Sequence, residues 1–155
     1  MMEYDKNLME EALSQARLAA EEGEVPVGAV VSLDGEIVAV GRNRRETAKN
    51  ALAHAEIEAI DAACRRLGGW RLHKCELFVT LEPCPMCMGA IINARIKRLI
   101  YGASDPKNGA CGSVTDLSAM SFTHKIEVEK GFMAEECANE LKLFFRKLRE
   151  NRQQK

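Results

Sequence analysis

Residues 75–103 read "CELFVTLEPCPMCMGAIINARIKRLIYGA". "CELFVTL" is a short apolar run of the kind that forms a buried strand. "PMCMGAIINA" reads as a helix started by Pro85, because proline suits the first helical position. "IKRLIYGA" then returns to strand. Two strands joined by a helix run parallel, and the helix crosses over a face of their sheet. This one unit points to a layered α/β architecture.

The rest of the chain can be laid around it. Met9, Ala12, Leu13, Ala16 and Ala20 recur at helical spacing, which predicts an amphipathic helix over 5–22. In "PVGAVVSLDGEIVAVGRN" two β-branched runs flank Asp34-Gly35, a strong hairpin signal. Residues 54–67 return to helical period through Ile57, Ile60, Cys64 and Leu67, and Gly68-Gly69 ends them. Residues 102–116 form a loop containing Gly, Asp and Pro, of a length that often serves binding. "HKIEVEKG" reads as a fifth strand and 134–150 as a last helix. The order predicts a mixed sheet with an antiparallel hairpin, parallel strands and helices on its faces. No internal repeat, low-complexity tract or linker interrupts it, so residues 1–155 are expected to form one domain.

A net charge of −1 gives no indication of nucleic-acid binding by itself. The distribution is uneven, however. Residues 1–24 are strongly acidic, whereas Lys142, Arg146, Lys147, Arg149, Arg152 and Lys155 crowd the far end against Glu150 alone. A neutral total can thus hide a basic surface, although a solvated helix face is the commoner reason for such a run. Six cysteines in a secreted chain would suggest disulfides, but "MMEYDKNLME" lacks the apolar core of a signal segment. No run has membrane-spanning length, so no membrane role is expected. Cytoplasmic localisation with reduced cysteines is the expectation, and there a C-x-x-C pair means metal or redox chemistry.

Cys84 and Cys87 form that pair. Alone, it fits a redox dithiol, half of a zinc site, or two ordinary residues near a helix start. With Pro85 at the first helical position, Cys84 becomes the N-cap and Cys87 falls in the first turn, where the helix dipole favours thiolates. Zinc in proteins is nearly always four-coordinate. The other cysteines are isolated, but His54 also opens a predicted helix. A His, Cys, Cys set leaves one position free for water, as catalytic zinc sites do and structural ones do not. Two thiolates cancel the charge of Zn²⁺, so a nearby base would help such a site, and Glu56 supplies a carboxylate. Positions i and i+2 of a regular helix do not face each other. The pair therefore works only if His54 is the cap and Glu56 lies in the first turn. Each residue has an ordinary reading as a capping or dipole-pairing group; together they point to a catalytic zinc centre.

"HAE" at 54–56 and "PCPMC" at 83–87 resemble the motifs of the zinc-dependent deaminases of cytosine and adenine. Beyond these motifs, "VPVGAVV", "GRNR", "TLEPCPMCMGAIINARIKRLIYGASDPKNGACGS" and the terminal helix with "FFR" are similar to the bacterial tRNA-specific adenosine deaminases nearly end to end. The resemblance implies a three-layer αβα sandwich with a five-stranded mixed sheet. It implies one Zn²⁺ per subunit held by His54, Cys84 and Cys87, with Glu56 as the proton shuttle for zinc-activated water. The reaction would be hydrolytic deamination of adenosine to inosine at the wobble position of a tRNA anticodon. Val27, Asn43, Ala55, Asp105, Lys107 and Phe144 would contact substrate, and the protein would be a homodimer acting on an anticodon stem-loop.

The zinc chemistry does not choose the substrate. A deaminase of a free base or nucleoside, of guanine or cytidine type, shares it. RNA is favoured by the basic stretch "RNRRETAK" at 42–49, by "SDPKNGACGS", and by Phe144 and Phe145 among cations. Adjacent residues point about 100° apart on a helix, so the pattern alone predicts that at least one of these phenylalanines packs on the sheet. His124 reads as a surface residue and Lys107 also as a plain loop cation. A zinc-stabilised RNA-binding subunit without catalysis is a third possibility, and Glu56 argues against it.

Overall fold

The structure is a computed structural model that describes residues 3–153; the Met1-Met2 start and Lys155 of the basic run lie outside the described residues. Its elements follow the predicted order: α1 (Glu3–Glu21), β1 (Gly28–Leu33), β2 (Glu36–Arg42), α2 (Ala55–Leu67), β3 (Cys75–Leu81), α3 (Pro85–Asn93), β4 (Arg98–Ala103), β5 (Glu127–Lys130) and α4 (Ala134–Gln153). A 3-10 turn at Leu117–Ala119, not foreseen from the sequence, sits in the long loop before β5. Asp34 and Gly35 both have positive φ, 53° and 80°, the geometry that lets a two-residue turn follow the twist of β1 and β2.

The strands lie in the order β2-β1-β3-β4-β5. β1 is antiparallel to both β2 and β3. β3, β4 and β5 are parallel. Side chains alternate between two cores, as the period of a strand requires. Val30, Phe78 and Ile100 point to the face covered by α1 and α4, with Leu8, Met9, Leu13 and Cys137. Ala29, Val31, Leu77, Val79, Leu99 and Tyr101 point to the other face, where α2 and α3 contribute Ala59, Ala63, Met88 and Ile91. The result is the three-layer αβα sandwich with a five-stranded mixed sheet.

The registers place one end of the sheet under four loops. Gly28 pairs with Arg42, Ala29 with Val79, and Leu81 with Ala103. The start of β1, the end of β2 and the ends of parallel β3 and β4 therefore meet there. In open α/β sheets this carboxyl end of the parallel strands is where ligands bind.

α4 corrects one expectation. Neither Phe144 nor Phe145 belongs to a core cluster, and Cys137 is the helix's one buried residue. The two rings pack edge-to-face on each other at 5.3 Å between centroids. The reason is length. A 20-residue helix runs about 30 Å, whereas the six residues of β4, on which it packs, span about 20 Å. The far end of α4 outruns the sheet it docks on.

Candidate metal centre and active site

Two helices deliver the candidate ligands, and each is set by its start. His54 is the N-cap of α2, with φ −80° and ψ 153°, and its side chain makes no capping hydrogen bond. Cys84 is the N-cap of α3, with φ −76° and ψ 174°, and it too leaves its side chain free. Both residues are thus extended, just off their helices, with side chains available to a ligand. Glu56 and Cys87 lie inside the first turns. This arrangement resolves the i, i+2 difficulty raised by the sequence.

α2 can approach because β2 has no side chain at Gly41. A Cβ there would lie 2.2 Å from the carbonyl oxygen of Ala55 and 2.6 Å from the backbone nitrogen of Ala59. Any larger residue would lift the first turn of α2, and with it His54 and Glu56, away from the sheet.

His54 Nδ1 lies 3.7 Å from Cys84 Sγ and 3.6 Å from Cys87 Sγ. One donor atom from each of the three residues falls within 4.8 Å of the others. Ligands at ordinary zinc bond lengths in a tetrahedron are separated by roughly 3.6–3.8 Å. The donor set fits zinc in both chemistry and spacing, and it supplies three of the four positions. Among the described residues no other cluster of metal-ligating side chains of this kind is found.

The proton chemistry of the pocket points the same way. The hydrogen bond from the Cys87 thiol pulls the pKa of Cys84 down to about 4, and His54 adds to the effect. That shared proton and burial push Cys87 upward. His54 is raised chiefly by its contact with Cys84. Glu56 is only 4% exposed, and burial raises its pKa to about 7, opposed first by a hydrogen bond from its own backbone N–H and less by His54 and Cys87. A carboxyl poised near neutrality beside a metal-ligand set suits a group that must both accept and return a proton.

The remaining predicted contacts have distinct settings. Val27 and Ala55 are buried in the core beneath α2. Asn43 uses its side chain locally: Nδ2 donates to Val25 O at 3.2 Å, and Oδ1 accepts from Arg45 N at 3.1 Å. Asp105 Oδ1 accepts from Lys107 N and Asn108 N at 3.1 and 3.2 Å, fixing the start of its loop. Lys107 is exposed and Phe144 half-buried. His124 is half-buried, with Nε2 2.6 Å from Ile96 O. Cys64, Cys75, Cys111 and Cys137 are free thiols away from the cluster, and burial raises the pKa of each.

Sequence reasoning missed two buried acids, Glu24 and Glu82, each bound to a loop at this end of the sheet. For Glu82 a signal existed: an acidic residue closes the otherwise apolar run "FVTLE". Glu24 stood among other acids and had none.

Residues 3–149 match the family model of the MafB19-like deaminases. The tRNA-specific adenosine deaminase of Bacillus subtilis (strain 168) is 47% identical over 152 residues, covering 97% of this chain and 94% of that protein. A solved structure from studies of A-to-I editing by wobble-position tRNA deaminases superposes with a TM-score of 0.84 at 47% identity, covering 88% of this chain and 99% of that one. A guanine deaminase from Bacillus subtilis superposes with a TM-score of 0.64 at 30% identity, covering 97% and 95%. By its family model, its relatives and its fold, the chain belongs to the MafB19-like deaminases and stands there with the tRNA-specific adenosine deaminases.

Proposed function

We propose that the chain deaminates adenosine to inosine at the wobble position of a tRNA anticodon, acting as one domain over residues 1–155. The observation that carries the chemistry is the buried Glu56 carboxyl beside the spaced His54, Cys84 and Cys87 donors. The 47% identity to a tRNA-specific adenosine deaminase along nearly the whole chain supports the choice of base and polymer. The guanine deaminase is more distant by both identity and superposition.

His54, Cys84 and Cys87 would hold one zinc ion per chain. Bound there, zinc would supply Lewis acidity that makes a water molecule easier to deprotonate. Glu56 would take a proton from the attacking water as the water's oxygen adds to the carbon bearing the exocyclic amine. Glu56 then delivers the proton to the neighbouring ring nitrogen. Glu56 would carry the remaining proton from the new hydroxyl to the amine; the C–N bond breaks, ammonia leaves and the hydroxyl oxygen becomes the carbonyl of inosine. One carboxyl works in both directions, and its burial keeps bulk water from exchanging the proton away.

The adenine must leave the stack to reach this pocket, which an anticodon loop allows at small cost. Val27 and Ala55 would line the floor of the base site. Asn43, Asp105, Lys107 and Phe144 would contact the nucleotide and its neighbours. The helix α4 offers Arg146, Lys147 and Arg149 to phosphates. None of the described helices is long and apolar enough to cross a membrane. We take the protein to be a cytoplasmic homodimer.

The test uses zinc-loaded protein, an anticodon stem-loop with adenosine at the wobble position, and free guanine, cytidine and adenosine in parallel. Inosine should appear in digests of the stem-loop by mass spectrometry. Turnover of guanine or cytidine with no inosine from RNA would replace the reading with a small-molecule deaminase.

A further inference from the structure

Glu24 and Glu82 are 1% and 2% exposed, and among the described residues neither forms an ion pair. A buried carboxylate without a cation is costly unless hydrogen-bond donors fill its lone pairs. Both acids find those donors in loops at the active-site end of the sheet. Glu24 accepts from the backbone N–H of Glu46 at 3.1 Å and of Thr47 at 2.6 Å. Glu82 accepts from the backbone N–H of Asp105 at 3.0 Å, of Cys111 at 3.1 Å and of Ser113 at 3.0 Å, and from the Ser113 hydroxyl.

The two loops are tied to the metal ligands in the same way. Arg44 N donates to the carbonyl of Ala53, the residue before His54, at 2.9 Å. Ala110 N donates to the carbonyl of Pro83, the residue before Cys84, at 2.8 Å. Each loop is therefore held at one point by a buried acid and at another beside a ligand. Gly109 shows how tight the second clamp is, since a Cβ there would lie 2.3 Å from the Glu82 carboxylate. What the loops carry is basic and polar: Arg44 and Arg45 on the first, Lys107 and Asn108 on the second, all four exposed.

We propose that Glu24 and Glu82 are positioning residues for the RNA substrate, two buried clamps that fix the height and spacing of the rim loops relative to the metal ligands. The proposal rests on the RNA reading above. Neither acid touches the metal ligands' donor atoms, and neither is needed for the proton transfers. Their effect is confined to how a large substrate seats. A carboxylate suits the task because it accepts several N–H groups at once, whereas an amide presents its own N–H donors to them.

The experiment compares wild type with Glu24→Gln, Glu82→Gln and the double variant, each zinc-loaded. It measures kcat and KM on the anticodon stem-loop, with zinc content and melting temperature alongside. Each Gln variant should keep one zinc per chain and lose about 10- to 100-fold in kcat/KM, mostly through KM. The Glu82→Asp variant should recover part of that loss. Should Glu82→Gln fail to fold, Ser113→Ala removes a single donor and should raise KM by a smaller factor. A KM within about twofold of wild type in the folded Gln variants would overturn the clamp. So would a loss carried by kcat together with zinc. Wild type inactive on the stem-loop but active on free guanine would overturn the RNA reading first and the clamp with it.

Discussion

The floor of the site and its rim are built in different ways. The floor consists of two helix starts seated on the sheet. Cys87 is fully buried and Glu56 nearly so, and Gly41 brings α2 into direct backbone contact with β2. Nothing there can shift without moving a helix. The rim consists of the loops at 43–53 and 104–116, whose order comes from hydrogen bonds to single buried acids. Chemistry that needs donors placed to a few tenths of an ångström sits on regular structure, whereas the recognition of RNA proposed above would fall to loops braced one by one.

The largest effect should come from breaking the floor. Cys87→Ala removes a thiolate from the donor set; zinc per chain should fall well below one by atomic absorption, with activity lost alongside. Zinc retained at one per chain would show that the three residues are not the ligands. Glu56→Gln should keep zinc and fold while kcat drops by about 10²- to 10⁴-fold, the usual worth of a general acid–base. An undiminished rate would remove Glu56 from the mechanism.

Glu56 also ties the floor to pH in the metal-free protein. Its folded pKa of about 7 lies above the ordinary 4.5, so the folded state holds the proton more tightly than the unfolded chain. Stability from this group is intact below pH 4.5 and is lost as pH rises to about 7. The loss amounts to about 3 kcal/mol at most. Denaturant unfolding of the metal-free protein at pH 5 and pH 8 should therefore show a larger fall for wild type than for Glu56→Gln. Equal falls would mean that the carboxyl is not desolvated as its burial requires.

Gly41→Ala tests the seating of α2. The added methyl meets backbone rather than a movable side chain, so about 2–3 kcal/mol of stability should be lost, together with much of the activity. The smallest effect belongs to α4. Phe145→Ala should change stability by about 0.5 kcal/mol or less, because the ring is 40% exposed and outside the core. A fall of several kcal/mol would return Phe145 to the core that the sequence pattern suggested for it.

The fold and the floor were legible because each rests on local rules. Gly68-Gly69 marked the end of α2, Pro85 marked the start of α3, β-branched and apolar runs marked the strands, and Asp34-Gly35 marked the hairpin. Once both helix starts were placed, His54, Glu56, Cys84 and Cys87 could be read from spacing, though the structure had to bring the two motifs together. Other features were not legible. β5 is only Glu127–Lys130, shorter than the run at 124–131 suggested, because it pairs on one side only and ends the sheet. The phenylalanines of α4 were misjudged because helical period says which side faces inward, not whether a sheet still lies beneath.

The amino-acid sequence by itself determined the order of elements, the mixed sheet and the candidate metal-ligand set, since hydrophobic period, helix caps and turn chemistry act over a few residues. Tertiary structure alone decided the rim. Glu24 and Glu82 reach loops 22 to 31 residues away, and no local pattern distinguishes a buried acid from a solvated one. Burial and the supply of backbone donors make that distinction, and both exist only after the chain has closed over them.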